Sequence, residues 1–168
     1  MLIQTRVFPL VFAILLPALV GAQPRKAADD PDQKELYAYV LTMDKIHKLA
    51  AATTALGEYG KAHPELDGAK SSDSKNLDEM VRKLDKFPPV VAILSKNGLT
   101  TREYAVGFFT LMQASMAVGF KKSGAYKEYP PQMLKLVSKQ NLDFVDQHFD
   151  EIQKATAAMQ GKEKDQDQ

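Results

Sequence analysis

The sequence predicts an all-α protein, an up-and-down four-helix bundle with a proline-kinked second helix. Three observations lead there. Apolar residues recur at steps of three and four through four stretches, hardly any stretch alternates with the period of two that half-buried strands show, and mostly short links join the stretches.

The first residues are set aside before the fold is read. "MLIQTR" carries one basic residue, Arg6, and "VFPLVFAILLPALV" follows as an apolar run. That run falls short of the roughly 20 residues a spanning helix needs, and Pro9 and Pro17 interrupt it. Val20 and Ala22 stand at the small-residue positions of a signal-peptidase site. Residues 1–22 are therefore expected to be a secretory signal peptide cleaved after Ala22, leaving a periplasmic or secreted product. No cysteine adjoins the cleavage point for lipid attachment.

Residues 23–168 suffice for one domain. The formal net charge of +1 falls to zero once Arg6 is removed, an even balance that argues against a nucleic-acid partner. The chain has no cysteine, which excludes disulfides, thiol catalysis, thiolate zinc sites, iron–sulfur clusters and covalent c-type haem. The expected layout is a flexible leader over 23–32, a helical domain over 33–160 and a disordered polar tail over 161–168.

The first helix is expected from Gln33 to Tyr59, where Leu36, Val40, Met43, Ile46, Ala50 and Thr53 form one stripe. His63-Pro64 ends it, because proline disfavours helical geometry in the preceding residue. "ELDGAKSSDSKN" reads as a loop. Leu77, Met80, Val81 and Leu84 mark the first piece of the second helix, and "PPVVAILSKNG" restarts it after a kink at Pro88-Pro89. Gly98 suits a left-handed cap, so this piece stops at Asn97.

Thr100 and Glu103 have capping-box spacing and open the third helix. Its stretch "AVGFFTLMQASMAVGF", Ala105 to Phe120, is apolar nearly all round. Sixteen residues at 1.5 Å each reach roughly 24 Å, short of the ~30 Å hydrocarbon core, and charged residues close both ends. The stretch is expected at the bundle centre, with no transmembrane span in the mature chain. Gly107, Ala114 and Ala117 lie close together around this helix, and Gly119 offers a further point of close approach. A glycine inside a helix costs about 1 kcal/mol relative to alanine, so close packing is expected to compensate. "GAYKEYPPQMLKLV" forms a connection with a short helical turn around Gln132 to Val137. The last helix runs from Ser138 to Met159, with a heptad seam of Leu142, Val145, Phe149, Ile152, Thr156 and Met159.

Signs of catalysis are few. Ser72-x-x-Lys75 has the serine–lysine spacing of penicillin-recognising enzymes but lies in a polar loop without the Lys-Thr-Gly partner. No Gly-x-Ser-x-Gly, phosphate loop or dinucleotide fingerprint is present. Asp44-x-x-His47 sets two metal-ligand types on adjacent turns, and His148 on the last helix faces His47 if those helices are neighbours. Asp44, His47 and His148 are thus the candidate site for a divalent metal, or for a b-type haem with a methionine as second ligand. Phe87, Tyr126 and Tyr129, beside the two Pro-Pro pairs, either cover a cavity or close the core. The expected function is a non-enzymatic binding module of the bacterial envelope. Its expected partner is another envelope protein, a second copy or a small apolar ligand, and the alternative is the metal or haem site.

Overall fold

A computed structural model describes residues 30–63, 74–157 and 159. They form eight helices, with no strand among the described residues: α1 (Pro31–Ala38), α2 (Met43–Ala62), α3 (Leu77–Asp85), α4 (Pro88–Lys96), α5 (Thr101–Lys122), α6 (Met133–Leu136), α7 (Lys139–Gln147) and α8 (Phe149–Ala157). The all-α class is as expected, but the count is eight rather than four. The segments expected as signal peptide and polar tail, and most of the expected leader, lie outside the described residues.

Three of the four expected helices are each a pair. The first divides at Tyr39–Thr42, where Tyr39 turns extended (φ −68°, ψ 129°) and Thr42 caps α2 by accepting the Lys45 amide at 3.3 Å. The break is held from far along the chain. The side chain of Asn141 accepts the Leu41 N–H at 2.9 Å and donates to the Tyr39 carbonyl at 2.6 Å, giving the link the partners a continuous helix would have supplied. At the proline pair the chain breaks instead of kinking. α3 stops at Asp85, Phe87 is extended (φ −110°, ψ 92°) as a residue before proline prefers, and Pro88 and Pro89 open α4. Within the last helix only His148 leaves helical geometry (φ −104°, ψ 20°), a deviation too local to disturb the hydrophobic period.

Other local expectations match. Gly98 sits at φ 69° after α4, with its amide and that of Leu99 donating to the Ser95 and Leu94 carbonyls. Thr100 and Glu103 form the reciprocal capping box: the Thr100 amide donates to Glu103 Oε2 at 2.9 Å, and the Glu103 amide to Thr100 Oγ1 at 3.1 Å.

α5 is the central helix, packing on α1, α2, α3, α4, α6 and α7. Ala105, Val106, Gly107, Leu111, Ala114, Ala117 and Val118 are all buried, and the core around them is completed by Ile46, Leu49, Leu94, Leu142, Val145 and Ile152. Among the described residues no helix is long and apolar enough to cross a membrane. The surround is incomplete toward the C-terminal end, where Met116 and Phe120 are 39% and 43% exposed. The two glycines of α5 differ. A Cβ on Gly107 would lie 2.9 Å from the Tyr39 hydroxyl and 3.1 Å from a Leu49 methyl, whereas one on Gly119 meets nothing within 4 Å. Close approach is needed at Gly107 alone.

The eight-residue α1 is too short to be stable in isolation. Tertiary contacts secure it. Leu36 is buried, the Thr110 hydroxyl donates to the Leu36 carbonyl, and Asp32 accepts the Leu77 amide at 2.7 Å. Outside, Arg102 of α5 grips Glu35 of α1 through two bonds (2.8 and 2.6 Å) and Asp78 of α3 through a third (2.6 Å). Those carboxylates raise the guanidinium's pKa above its ordinary value.

Candidate functional site

Four helices leave between them an apolar cleft of about 370 Å³. α2 contributes Leu56, Tyr59 and Gly60; α3 adds Met80 and Leu84; Phe87 and Val90 come from the start of α4. The fourth wall is α5, where Tyr104, Ala105, Phe108 and Phe109 line the cleft in successive turns. Local sequence explains this placement. Pro88 forces Phe87 out of the helix at the α3–α4 corner, and positions 104 and 108 fall one turn apart on one face of α5, their rings stacked with centroids 5.9 Å apart. Phe108 meets Phe109 edge-on at 6.0 Å.

Among the described residues no charged side chain lines the cleft. The polar side chains among these lining residues are Tyr59 and Tyr104, and the Tyr104 hydroxyl lies 3.0 Å from that of Thr53, which stands one turn ahead of Leu56 on α2. Burial pushes the Tyr104 phenol above its ordinary pKa, with the Thr53 bond acting the other way, so the group remains a protonated donor at neutral pH. The cleft falls within the usual size of small-molecule sites, and its described lining is predominantly apolar. None of the described lining residues supplies a nucleophile paired with a base.

The sequence-derived candidates lie elsewhere. Asp44 is exposed and pairs with Lys48 at 2.8 Å. His47 is exposed in a shallow hollow beside Ala51, Thr54 and Ala155, where α2 meets α8. His148 belongs to a different hollow, with Asp146 and Lys154. Its Nδ1 lies 3.3 Å from Glu151 and its ring stacks on Phe144 at 4.7 Å. Among the described residues no group of three or more His, Asp or Glu is placed to hold a metal ion.

Of the three aromatics beside the Pro-Pro pairs, Phe87 lines the cleft. Tyr126 is exposed against Phe120, and Tyr129 donates to Asp146 at 3.0 Å. Asp146 also receives Lys121 at 2.6 Å and Lys122 at 3.2 Å. The Lys121 bond is the main cause that holds the Asp146 carboxyl at about 2, below its ordinary 3.8. Tyr59, Tyr104, Phe108 and Phe109 carried no motif; the last three stand out in the sequence only as an aromatic cluster near the start of α5, and Tyr59 gave no signal. No family model, curated protein or solved structure matches the chain.

Proposed function

We propose that this protein is an exported, non-enzymatic binding protein of the bacterial envelope whose cleft between α2, α3, α4 and α5 takes a small apolar ligand. The observation that carries the reading is the cleft itself: about 370 Å³, walled by aromatic and aliphatic side chains, with no charged group among the described residues that line it. Filling it removes ligand and lining from water together, at about 25 cal/mol per Å² of apolar surface. In the same proposal seven of the eight helices act as four units, α1–α2, α3–α4, α5 and α7–α8, running up and down, with α6 in the connection between α5 and α7, and the mature chain begins at Gln23.

Gly60 provides the test. It lines the cleft, and a Cβ built there meets nothing within 4 Å. A side chain at this position starts from open space, so Gly60→Leu is expected to fill part of the cleft and to gain helix propensity of about 1 kcal/mol. Butylbenzene is expected to raise the melting temperature of the wild-type protein and to leave that of Gly60→Leu unchanged. Equal shifts in the two proteins would contradict binding in the cleft. Export is tested separately by the mass of the protein recovered outside the cytoplasm, where retention of residues 1–22 would contradict it.

A further inference from the structure

Resting on the cleft reading, we infer that α1 is a strap whose docking holds two walls of the cleft in place, so that seating α1 and filling the cleft stabilise each other. α1 contributes none of the described lining residues. Yet three of those residues belong to the packing around it: Ala105 shares an apolar cluster with Leu36, Leu77 and Val106, and Met80 and Phe109 pack against that cluster. α1 also ties together the helices those residues come from. Asp32 accepts the Leu77 amide at the start of α3 at 2.7 Å, and Glu35 takes two bonds from Arg102 of α5, whose third goes to Asp78 of α3. Release of α1 defines a second state. An eight-residue helix is not stable alone, and the link after it is pinned by Asn141 at Tyr39 and Leu41, so α1 can leave as a unit without unwinding α2. Met80 and Phe109 then lose the Leu36 cluster as support, and α3 and α5 lose their common ties. A ligand fitted to the docked walls binds the docked state better, and the effect runs equally in both directions.

The experiment reads both directions with butylbenzene as the probe. In the wild-type protein, amide exchange is followed at Tyr39, bonded to the Glu35 carbonyl, and at Leu77, bonded to Asp32, with Ala114 in the core of α5 as the reference for global opening. Without the probe, Tyr39 and Leu77 should exchange faster than Ala114, because α1 opens locally. Saturating butylbenzene should slow both about 5-fold or more. In the other direction, Leu36→Asp puts an unpaired charge at a buried position outside the cleft and should release α1, seen as lost protection at Tyr39 and Leu77. Its affinity for butylbenzene, read by ligand-observed NMR, should fall about 5-fold or more. Should Leu36→Asp not fold, exchange in the wild-type protein decides alone. Exchange of Tyr39 and Leu77 at the Ala114 rate, exchange there unmoved by bound butylbenzene, or unchanged affinity in a folded Leu36→Asp would each overturn the inference while leaving an apolar cleft intact. Failure of butylbenzene to bind the wild-type protein would overturn the cleft reading and the inference with it.

Discussion

Asn141 connects positions about a hundred residues apart, and its replacement has a computable cost. The side chain is fully buried, accepts the Leu41 amide at 2.9 Å and donates to the Tyr39 carbonyl at 2.6 Å. Asn141→Leu keeps a similar volume but leaves both backbone groups without their partner. Each buried group so orphaned costs about 1–3 kcal/mol, and the apolar gain of leucine offsets part of it. The net loss is about 3 kcal/mol, which for a domain of this size lowers the melting temperature by about 10 °C. Asn141→Asp separates the two bonds. Its carboxylate accepts the Leu41 amide but faces the Tyr39 carbonyl with no proton, so it destabilises at neutral pH. Compared with wild type at the same pH, it recovers part of that loss when acid protonates it. Melting followed by circular dichroism, with amide exchange at Leu41 as the local probe, reads both effects. Unchanged melting and unchanged Leu41 protection in Asn141→Leu would refute the idea that this amide holds the α1–α2 break.

Other perturbations follow from the same contacts. Gly107→Leu should lower the melting temperature sharply, since its Cβ alone crowds Tyr39 and Leu49, while Gly119→Ala should match or exceed wild type by up to about 1 kcal/mol. A reversed order would refute the packing account of α5. The Asp146 carboxyl is depressed in the folded state, so its contribution is present above the ordinary 3.8 and is lost as pH falls toward about 2. Acid titration of stability should be shallower in Asp146→Asn across that window, and an identical profile would contradict the assignment. Arg102→Met should lower stability by about 1 kcal/mol at low salt, with a smaller difference at high salt because the paired groups are exposed. A loss independent of salt would point to packing of the stem instead.

Some of this was legible in the sequence because its cause is local. The Gly98 cap, the Thr100–Glu103 box, the proline start of α4 and the turn at Met133–Leu136 each depend on neighbours within a few residues. The division of the first helix was not legible, because the group that stabilises it is Asn141 in another helix. Val40 continued the apolar stripe, yet it lies in the link between α1 and α2 and is 39% exposed. The phase of the stripe therefore resets before α2. The cleft was hidden for a related reason. Apolar residues at helical spacing specify burial, but whether Tyr104 and Phe108 meet a partner or a gap depends on how α3 and α4 approach them. Polar residues drew the site search toward Asp44, His47 and His148, whereas the cleft is made from residue types that ordinarily fill cores.

The most direct test of the central claim is a titration of isotopically labelled protein with butylbenzene, followed by NMR. Binding in the cleft predicts saturable shifts concentrated at Leu56, Met80, Leu84 and Phe108, and their disappearance in Gly60→Leu. Shifts concentrated instead at the exposed Met116, Phe120 and Tyr126, or no saturable shift anywhere, would contradict it.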